Sequence, residues 1–213
     1  MKVAILSESE ADETVIRVFV DALLQRESLH ISHAPLQARG WPAVLNILPA
    51  VIKYLYYSTD AAALIVLADS NHTPVHQPAP EHTGEHGQQC RLCLLRESAT
   101  RTLQGLRPVT SRGNIRVAVG LAVPSLEAWL LCGRDPTISE STWRAGLESK
   151  HDPYTRNALK QRVYGTDRPN GEMLKRRGTE EARRLIQDLA LLETRFPGGF
   201  GLLATEIRSW ITP

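Results

Sequence analysis

Hydrophobic and polar positions near the start of the chain follow a strand, turn and helix pattern. The range 2–6 is a short apolar run, and the acidic stretch Glu8 to Glu13 follows it. The next apolar residues recur at helical spacing: Val15, Ile16, Val18, Phe19, Leu23 and Leu24. This change from a short run to a helical period predicts a strand, a turn and then a helix.

Two later runs are continuously apolar, 61–68 and 115–122. A run without polar alternation is typical of a strand that is buried on both faces of a parallel sheet. Between the first strand and the second, apolar spacing predicts a helix that extends toward Tyr57. Pro42 suits the first turn of that helix, whereas Pro49 is expected to kink or split it.

The segment from Ser70 to Gln89 interrupts this pattern because it is rich in Pro, His, Gly and Gln. It predicts a long loop, and loops of this length are usually functional or disordered. Apolar residues recur at helical spacing again over 92–106, which predicts another helix. A further helix is expected over 125–131, after the third strand.

The remainder of the chain, from Gly133 onward, carries helical spacing and no convincing strand. One helix is predicted over 173–192, with Gly178 as a weak point that can mark its true start. A last short helix is predicted over 202–210. The fold class is therefore α/β, with a parallel sheet flanked by helices and a mainly helical C-terminal part.

Composition narrows the class of protein without changing this fold prediction. Hydrophobic residues make up 42% and charged residues 23% of the 213 residues, as in ordinary globular proteins. No apolar run approaches the roughly 20 residues that span a bilayer, and the N-terminus does not resemble a signal peptide. An odd number of cysteines, three, argues against a disulfide framework. We expect a cytoplasmic protein without a membrane partner.

The basic residues are mostly arginine. Only five of the 25 basic residues are lysines, so the remaining 20 are arginines. Arginine can bind phosphate or carboxylate through two parallel hydrogen bonds, but a GC-rich genome gives the same bias. The net charge of +2 is too small to demonstrate nucleic-acid binding by itself.

Acidic side chains follow each of the three predicted strands. Glu8 and Asp12 follow the first strand, Asp69 and Asn71 the second, and Glu127 comes shortly after the third. Parallel strands connected by crossovers end at one edge of the sheet, where α/β proteins bind ligands. Carboxylates that meet there repel one another unless a cation such as Mg²⁺ or Mn²⁺ neutralises them. Any one of these acids can equally be an ordinary turn or helix-capping residue.

Two segments of the chain resemble a known family. A-I-L-S-E-S-E-A-D-E resembles the V-E-G-x-[ST]-[DE] opening of the Toprim-like DUF4276 family, which is related to the overcoming-lysogenization-defect nucleases. A-V-P-S-L-E-A-W-L-L resembles that family's I/V-P-x-x-E-A-W-L-L segment. The resemblance extends to the basic segment near Lys175 and the stretch around Phe200, and so covers most of the chain.

The resemblance implies a Toprim-like domain over 1–133, with a His/Cys-rich insertion at about 70–93. The range 134–213 would be a helical extension packed on the same domain. The resemblance also implies site residues: Glu8, Asp69 and Asn71 would hold Mg²⁺, with Asp12 and Glu127 assisting and Lys175 able to stabilise phosphoryl charge. The sequence departs from the family pattern at two positions. Ser9 stands where the family has glycine, and Asn71 stands where it has a second aspartate. Asparagine can ligate Mg²⁺ but brings no charge.

A second metal site is suggested by the pattern H-x3-H-x3-C-x2-C, formed by His82, His86, Cys90 and Cys93. Two imidazoles and two thiols suit a structural Zn²⁺ ion in tetrahedral geometry. The alternative is a disordered histidine-rich loop before a helix that buries Cys93. Cys132, beside an apolar run, is expected to be a core cysteine.

Two functions are compatible with these features. The first is Mg²⁺-dependent hydrolysis of DNA or RNA, which the resemblance places in antiphage defence with an ATPase partner. The second is a non-catalytic Toprim-like subunit that binds a partner protein or nucleic acid, which Asn71 favours. The stretch 174–184 could follow a phosphate backbone, but it is equally a solvated helix face. No phosphate-binding loop or dinucleotide-binding motif is present.

Overall fold

A computed structural model describes residues 1–33, 36, 39–77, 89–110 and 113–211. Four parallel strands form its sheet, in the spatial order β2-β1-β3-β4. The strands are β1 (Lys2–Leu6), β2 (Leu29–His30), β3 (Ala63–Asp69) and β4 (Arg116–Ala122). The predicted α/β class and the three predicted strands are confirmed, and β2 is an additional strand at one edge of the sheet.

Strand β3 lies in the interior of the sheet, between β1 and β4. Val3 pairs with Ala63 on one side, and Ala63 pairs with Arg116 on the other. All seven residues of β3 are buried, as the continuous apolar run predicts.

In the described parts of the connections between strands there are three helices: α1 (Glu10–Leu23), α2 (Trp41–Ser58) and α3 (Arg91–Gln104). Helix α1 begins after Ser9, whose hydroxyl accepts a hydrogen bond from the backbone N–H of Asp12 at 3.2 Å. Helix α2 starts with Pro42 in its first turn, as predicted, and Pro49 does not split it. The buried apolar face of α2 offsets the hydrogen bond that Pro49 removes.

Helices dominate the described residues after β4. They are α4 (Leu126–Leu130), α5 (Glu140–Ser149), α6 (Arg156–Tyr164), α7 (Gly171–Leu185), α8 (Leu189–Arg195) and α9 (Leu202–Ser209). A 3₁₀ turn, Ile186–Asp188, separates α7 from α8, and a π-helical turn, Pro197–Gly201, precedes α9. The mainly helical C-terminal part is confirmed.

The C-terminal helices pack directly on the α/β core. In α7, a Cβ atom at Gly178 would lie 2.6 Å from Cγ2 of Val15, so glycine permits the close contact between α7 and α1. Gly178 therefore lies inside α7 for a packing reason and does not mark its start, which is a correction to the prediction. The ring of Phe200 makes edge contacts with Phe19 and Trp129, with centroids 5.4 and 5.1 Å away.

Within the part of the chain that the structure describes, no helix combines the length and apolar character needed to cross a bilayer.

Candidate functional site

The strand order places a topological switch point between β1 and β3, because the chain continues from β1 toward β2 on one side and returns to β3 on the other. Ligands of open α/β sheets bind at the carboxyl ends of the strands at such a point. Glu8 follows β1 and Asp69 ends β3. The Glu8 Oε1 atom accepts a hydrogen bond from the backbone N–H of Asp69 at 2.9 Å. The structure thus places these two predicted site residues at the same edge of the sheet.

Both carboxylate oxygens of Asp69 have hydrogen-bond donors. Oδ1 accepts from the backbone N–H of Leu126 at 3.1 Å, and Oδ2 accepts from Nη2 of Arg156 at 2.9 Å. The Asp69 residue is only 9% exposed. A buried carboxylate with these donors is fixed in one orientation.

Four carboxyl groups, which we call the acidic group, influence one another at this edge: Glu8, Asp12, Asp69 and Glu127. Burial raises the pKa of Asp69 well above its ordinary value, and the charges of the other three acids raise it further. The nearby charge of Arg156 partly offsets that rise.

Asp12 lies in the first turn of α1 and faces the same group. Burial raises its pKa to about 6; the hydrogen bond from Ser9 opposes this shift, and the charges of Glu127 and Glu8 add to it. A carboxyl group with this pKa exchanges a proton near neutral pH.

Glu127 and Tyr164 complete the buried side of the site. Glu127 is 6% exposed, and its Oε2 atom accepts a hydrogen bond from Oγ of Ser125 at 2.6 Å. Burial raises the pKa of the Tyr164 phenol, and the charges of Glu127 and Asp12 raise it further. Tyr164 therefore stays protonated beside the acidic group.

Arg91, at the start of α3, contacts the acidic group. Its Nη1 atom donates a hydrogen bond to the backbone carbonyl of Asp69 at 2.6 Å and lies 4.0 Å from Oε1 of Glu8. The guanidinium also stacks over the ring of Trp41, with Cζ 4.8 Å from the ring centroid. These contacts hold a largely buried positive charge beside Glu8.

Asn71 and Lys175, the other two predicted site residues, line two different clefts. Asn71 lies with Arg156 in a cleft of about 320 Å³, where its backbone carbonyl accepts a hydrogen bond from Trp143. Lys175 borders a larger cleft of about 770 Å³ together with Glu8. Its Nζ atom pairs with Oε1 of Glu10 at 2.6 Å.

A separate cluster of metal-ligating atoms lies at the start of α3 and consists of His76, Cys90 and Cys93. The Nδ1 atom of His76 is 3.6 Å from Sγ of Cys90 and 3.5 Å from Sγ of Cys93. The three ligand atoms all lie within 4.8 Å of one another, so the cluster could hold a metal ion. Burial raises the pKa of the Cys93 thiol to about 11, and Cys90 adds to the rise.

This arrangement changes the predicted ligand set. Cys90 and Cys93 belong to the cluster as predicted, and among the described residues the histidine that joins them is His76. The predicted ligands His82 and His86 lie outside the described residues. Cys132 is fully buried, as expected of a core cysteine.

The two sites differ in how closely their ligand atoms approach. In the described residues, the His76 cluster is the only group of three or more His, Cys, Asp or Glu side chains whose ligand atoms lie within 4.8 Å of one another. The acidic group is more open, and water molecules would have to complete the coordination of a cation there.

Comparison with known proteins gives no family for the chain. No protein-family model matches it, and no curated protein or solved structure matches it significantly. The chemistry of the two sites must therefore be inferred from their own geometry.

Proposed function

We propose that the chain is a divalent-cation-dependent phosphodiesterase that acts on DNA or RNA. The observation that carries this proposal is the convergence of four carboxyl groups at the switch point of the sheet, where Asp69 is buried among like charges. Such an arrangement is costly in the absence of a cation, because each ionised carboxylate disfavours the ionisation of its neighbours. Perturbed pKa values in a cleft are typical of functional sites.

The acidic group fits Mg²⁺ or Mn²⁺ by its chemistry. Mg²⁺ prefers oxygen ligands and usually binds one or two carboxylates while it keeps several water molecules. Glu8 and Asp69 would hold the ion, Asp12 and Glu127 would bind its water shell or a second ion, and Asn71 would offer a carbonyl oxygen. When bound, the ion supplies Lewis-acid polarisation of a phosphoryl oxygen.

Side chains around the acidic group suit the remaining tasks of the reaction. Asp12, with its pKa of about 6, can accept a proton from an attacking water molecule at neutral pH. Arg156 is half exposed in the cleft beside Asp69, so its guanidinium can turn from the carboxylate to a substrate phosphate. Lys175 borders the larger cleft together with Glu8 and can contact the phosphate backbone there.

The resemblance of the two sequence segments to the Toprim-like DUF4276 family supports the same reaction class. It is also the sole basis for two further elements of the proposal, a role in antiphage defence and an ATPase partner. Cytoplasmic location agrees with the free cysteines, because disulfides are rare in that compartment.

We further propose that His76, Cys90 and Cys93 bind Zn²⁺. Imidazole and thiolate ligands favour Zn²⁺ over Mg²⁺ or Mn²⁺, which prefer oxygen. The two sites would therefore select different metals by their ligand types. The acidic group would bind a hard cation, and the cluster at the start of α3 would bind a softer one.

A second candidate function is a non-catalytic subunit that binds a partner protein or nucleic acid. The observation that favours it is that both oxygens of Asp69 already accept hydrogen bonds, one of them from Arg156. Asn71 in place of a second aspartate also lowers the charge available to a cation.

Cleavage assays separate the two functions. Plasmid DNA, single-stranded DNA and RNA would be incubated with Mg²⁺, Mn²⁺ or EDTA, using the wild-type protein and a Glu8→Ala variant. Metal-dependent cleavage that Glu8→Ala abolishes supports the nuclease. Glu27→Ala is the matched control, because Glu27 is an exposed acid outside the acidic group. Nucleic-acid binding without cleavage in any metal would favour the non-catalytic subunit.

A further inference from the structure

The geometry points to a zinc clip at His76, Cys90 and Cys93 that fixes the start of α3 and, through it, the position of Arg91 in the acidic group. This inference rests on the zinc assignment proposed above and extends it to a role. Arg91 would be a positioning residue whose placement depends on a metal outside the site.

The distances between ligand atoms match tetrahedral zinc. Zn–S bonds of about 2.3 Å and Zn–N bonds of about 2.0–2.1 Å, at a tetrahedral angle, place nitrogen and sulfur roughly 3.6 Å apart. The two observed separations from Nδ1 of His76 are 3.6 and 3.5 Å. Both nitrogen-to-sulfur separations therefore already match those around one zinc ion, and the two sulfur atoms lie within 4.8 Å of each other.

Hydrogen bonding alone explains this arrangement less well. A neutral imidazole has one acceptor lone pair, so Nδ1 of His76 can accept from one thiol but not from two. Both sulfurs nevertheless lie at nearly the same distance from Nδ1. A metal ion satisfies all three ligand atoms together. Three protein ligands leave one coordination position, which a water molecule or another donor would fill.

The position of the cluster explains what such an ion would stabilise. Cys90 is the residue immediately before α3, and Cys93 lies in its first turn. His76 belongs to the segment that follows β3. Cys90 and His76 are both buried, at 0% and 8% exposure. The ion would thus join the end of β3 to the beginning of α3, next to the acidic group.

Arg91 connects this clip to the acidic group because it lies between the two cysteines. Its guanidinium reaches the backbone carbonyl of Asp69 at 2.6 Å. If the start of α3 loosens, Arg91 loses the backbone position from which it makes this contact. The metal would therefore hold the end of β3 in place by way of Arg91.

Metal content tests the zinc site directly. Protein purified under reducing conditions without chelator should carry about one zinc per chain. His76→Ala, Cys90→Ser and Cys93→Ser should each lower zinc content at least tenfold. Two controls should keep it: Cys132→Ser, at the cysteine outside the cluster, and His72→Gln, at a histidine that pairs with Asp152. Full zinc content in the three cluster variants would overturn the site.

A spectroscopic measurement on the wild-type protein tests the site without variants, whose loss of zinc can also result from misfolding. Cobalt added to metal-stripped wild-type protein should give thiolate-to-cobalt charge-transfer bands and the intense visible bands of a tetrahedral ion. Added zinc should abolish both sets of bands by displacement. The weak bands of octahedral cobalt, or no binding by reduced protein, would contradict the proposal.

Hydrogen exchange tests the role of Arg91 without measuring cleavage. Adding zinc to the metal-free protein should slow amide exchange at least tenfold over 89–93, and also over 69–71. In Arg91→Gln, zinc should still protect 89–93, but most of the protection over 69–71 should be lost. Equal protection of 69–71 in both proteins would overturn the link through Arg91. If zinc binds as expected but no form cleaves nucleic acid, the nuclease proposal fails and the clip stands.

Discussion

Arg156 donates a hydrogen bond to the Asp69 carboxylate, with Nη2 2.9 Å from Oδ2, although 87 positions separate the two residues in the sequence. Arg156 is the first residue of α6, so this contact ties the C-terminal helices to the end of β3. Its side chain is 49% exposed, whereas that of Asp69 is 12% exposed. The guanidinium and a cation would therefore compete for one carboxylate oxygen.

Replacing Arg156 by glutamine should strengthen cation binding and weaken cleavage. Removal of a positive charge beside Oδ2 favours a divalent ion, and screening by solvent limits the gain to roughly several-fold in affinity. Cleavage should fall about tenfold or more, because the arginine would no longer be available to a substrate phosphate. Mn²⁺ titration calorimetry and cleavage rates measure the two effects.

Arg162→Gln is the matched control for this experiment. Arg162 lies on the same helix, but it pairs with Asp135 outside the acidic group. Its replacement should leave Mn²⁺ affinity unchanged. Unchanged affinity in Arg156→Gln as well would show that the guanidinium and the cation do not share Asp69.

Glu8→Gln and Asp69→Asn should abolish Mg²⁺-dependent cleavage while the fold persists. Each change removes one negative charge and keeps an oxygen that can accept the existing backbone hydrogen bond. Loss of a cation ligand should lower the rate on the order of hundreds-fold or more. Thermal stability without metal should hold or rise, because repulsion between carboxylates decreases.

A purely structural role for these acids gives the reverse result. Activity would then change little, and the free energy of unfolding would fall by about 1 kcal/mol, as for a lost cap. Cleavage assays and thermal melts on the same two variants distinguish the roles. Wild-type cleavage by both variants would show that neither acid belongs to a catalytic site.

Glu140 should be essential for the stability of the C-terminal part. This carboxylate is 1% exposed, and its two oxygens accept hydrogen bonds from the backbone N–H groups of Gly198 and Gly199, each at 3.0 Å. Glu140→Ala would leave two buried donors without their acceptor and should destabilise the protein by about 3 kcal/mol or more. Chemical denaturation measures this loss, and Glu148→Gln, at an exposed position of α5, should change stability little.

The sheet and the acidic group could be predicted because both depend on local patterns. Buried strands are apolar without interruption, and three of them were found to within two residues of their observed limits. The strand β2 could not be found, because its two residues, Leu29 and His30, are both exposed and are held by pairing with β1. Their position depends on a partner strand and leaves no hydrophobic run.

The partners of the acidic group were harder to predict. Arg156 and Tyr164 come from a helix far along the chain and carry no local motif. His76 is also absent from the predicted ligand set, because spacing does not distinguish it from the other three histidines of the range 70–89. Only the fold shows that His76 faces both cysteines. Long-range contacts of this kind depend on tertiary packing, which spacing along the chain does not encode.

Stability of the metal-free protein should fall as the pH rises from about 4 to 7, and Mg²⁺ should restore part of it at the upper end. The pKa of Asp12 is about 6 in the folded protein and 3.8 as its ordinary value. Between these values the folded state binds more protons than the unfolded state, so stability decreases with rising pH. For Asp12 alone the full loss is about 3 kcal/mol, and it is complete above pH 7.

Thermal melts should therefore show a larger Mg²⁺ effect at pH 8 than at pH 5, where protonated acids bind the cation poorly. Asp12→Asn should flatten the pH dependence, and an equal slope in that variant would assign the effect to another group.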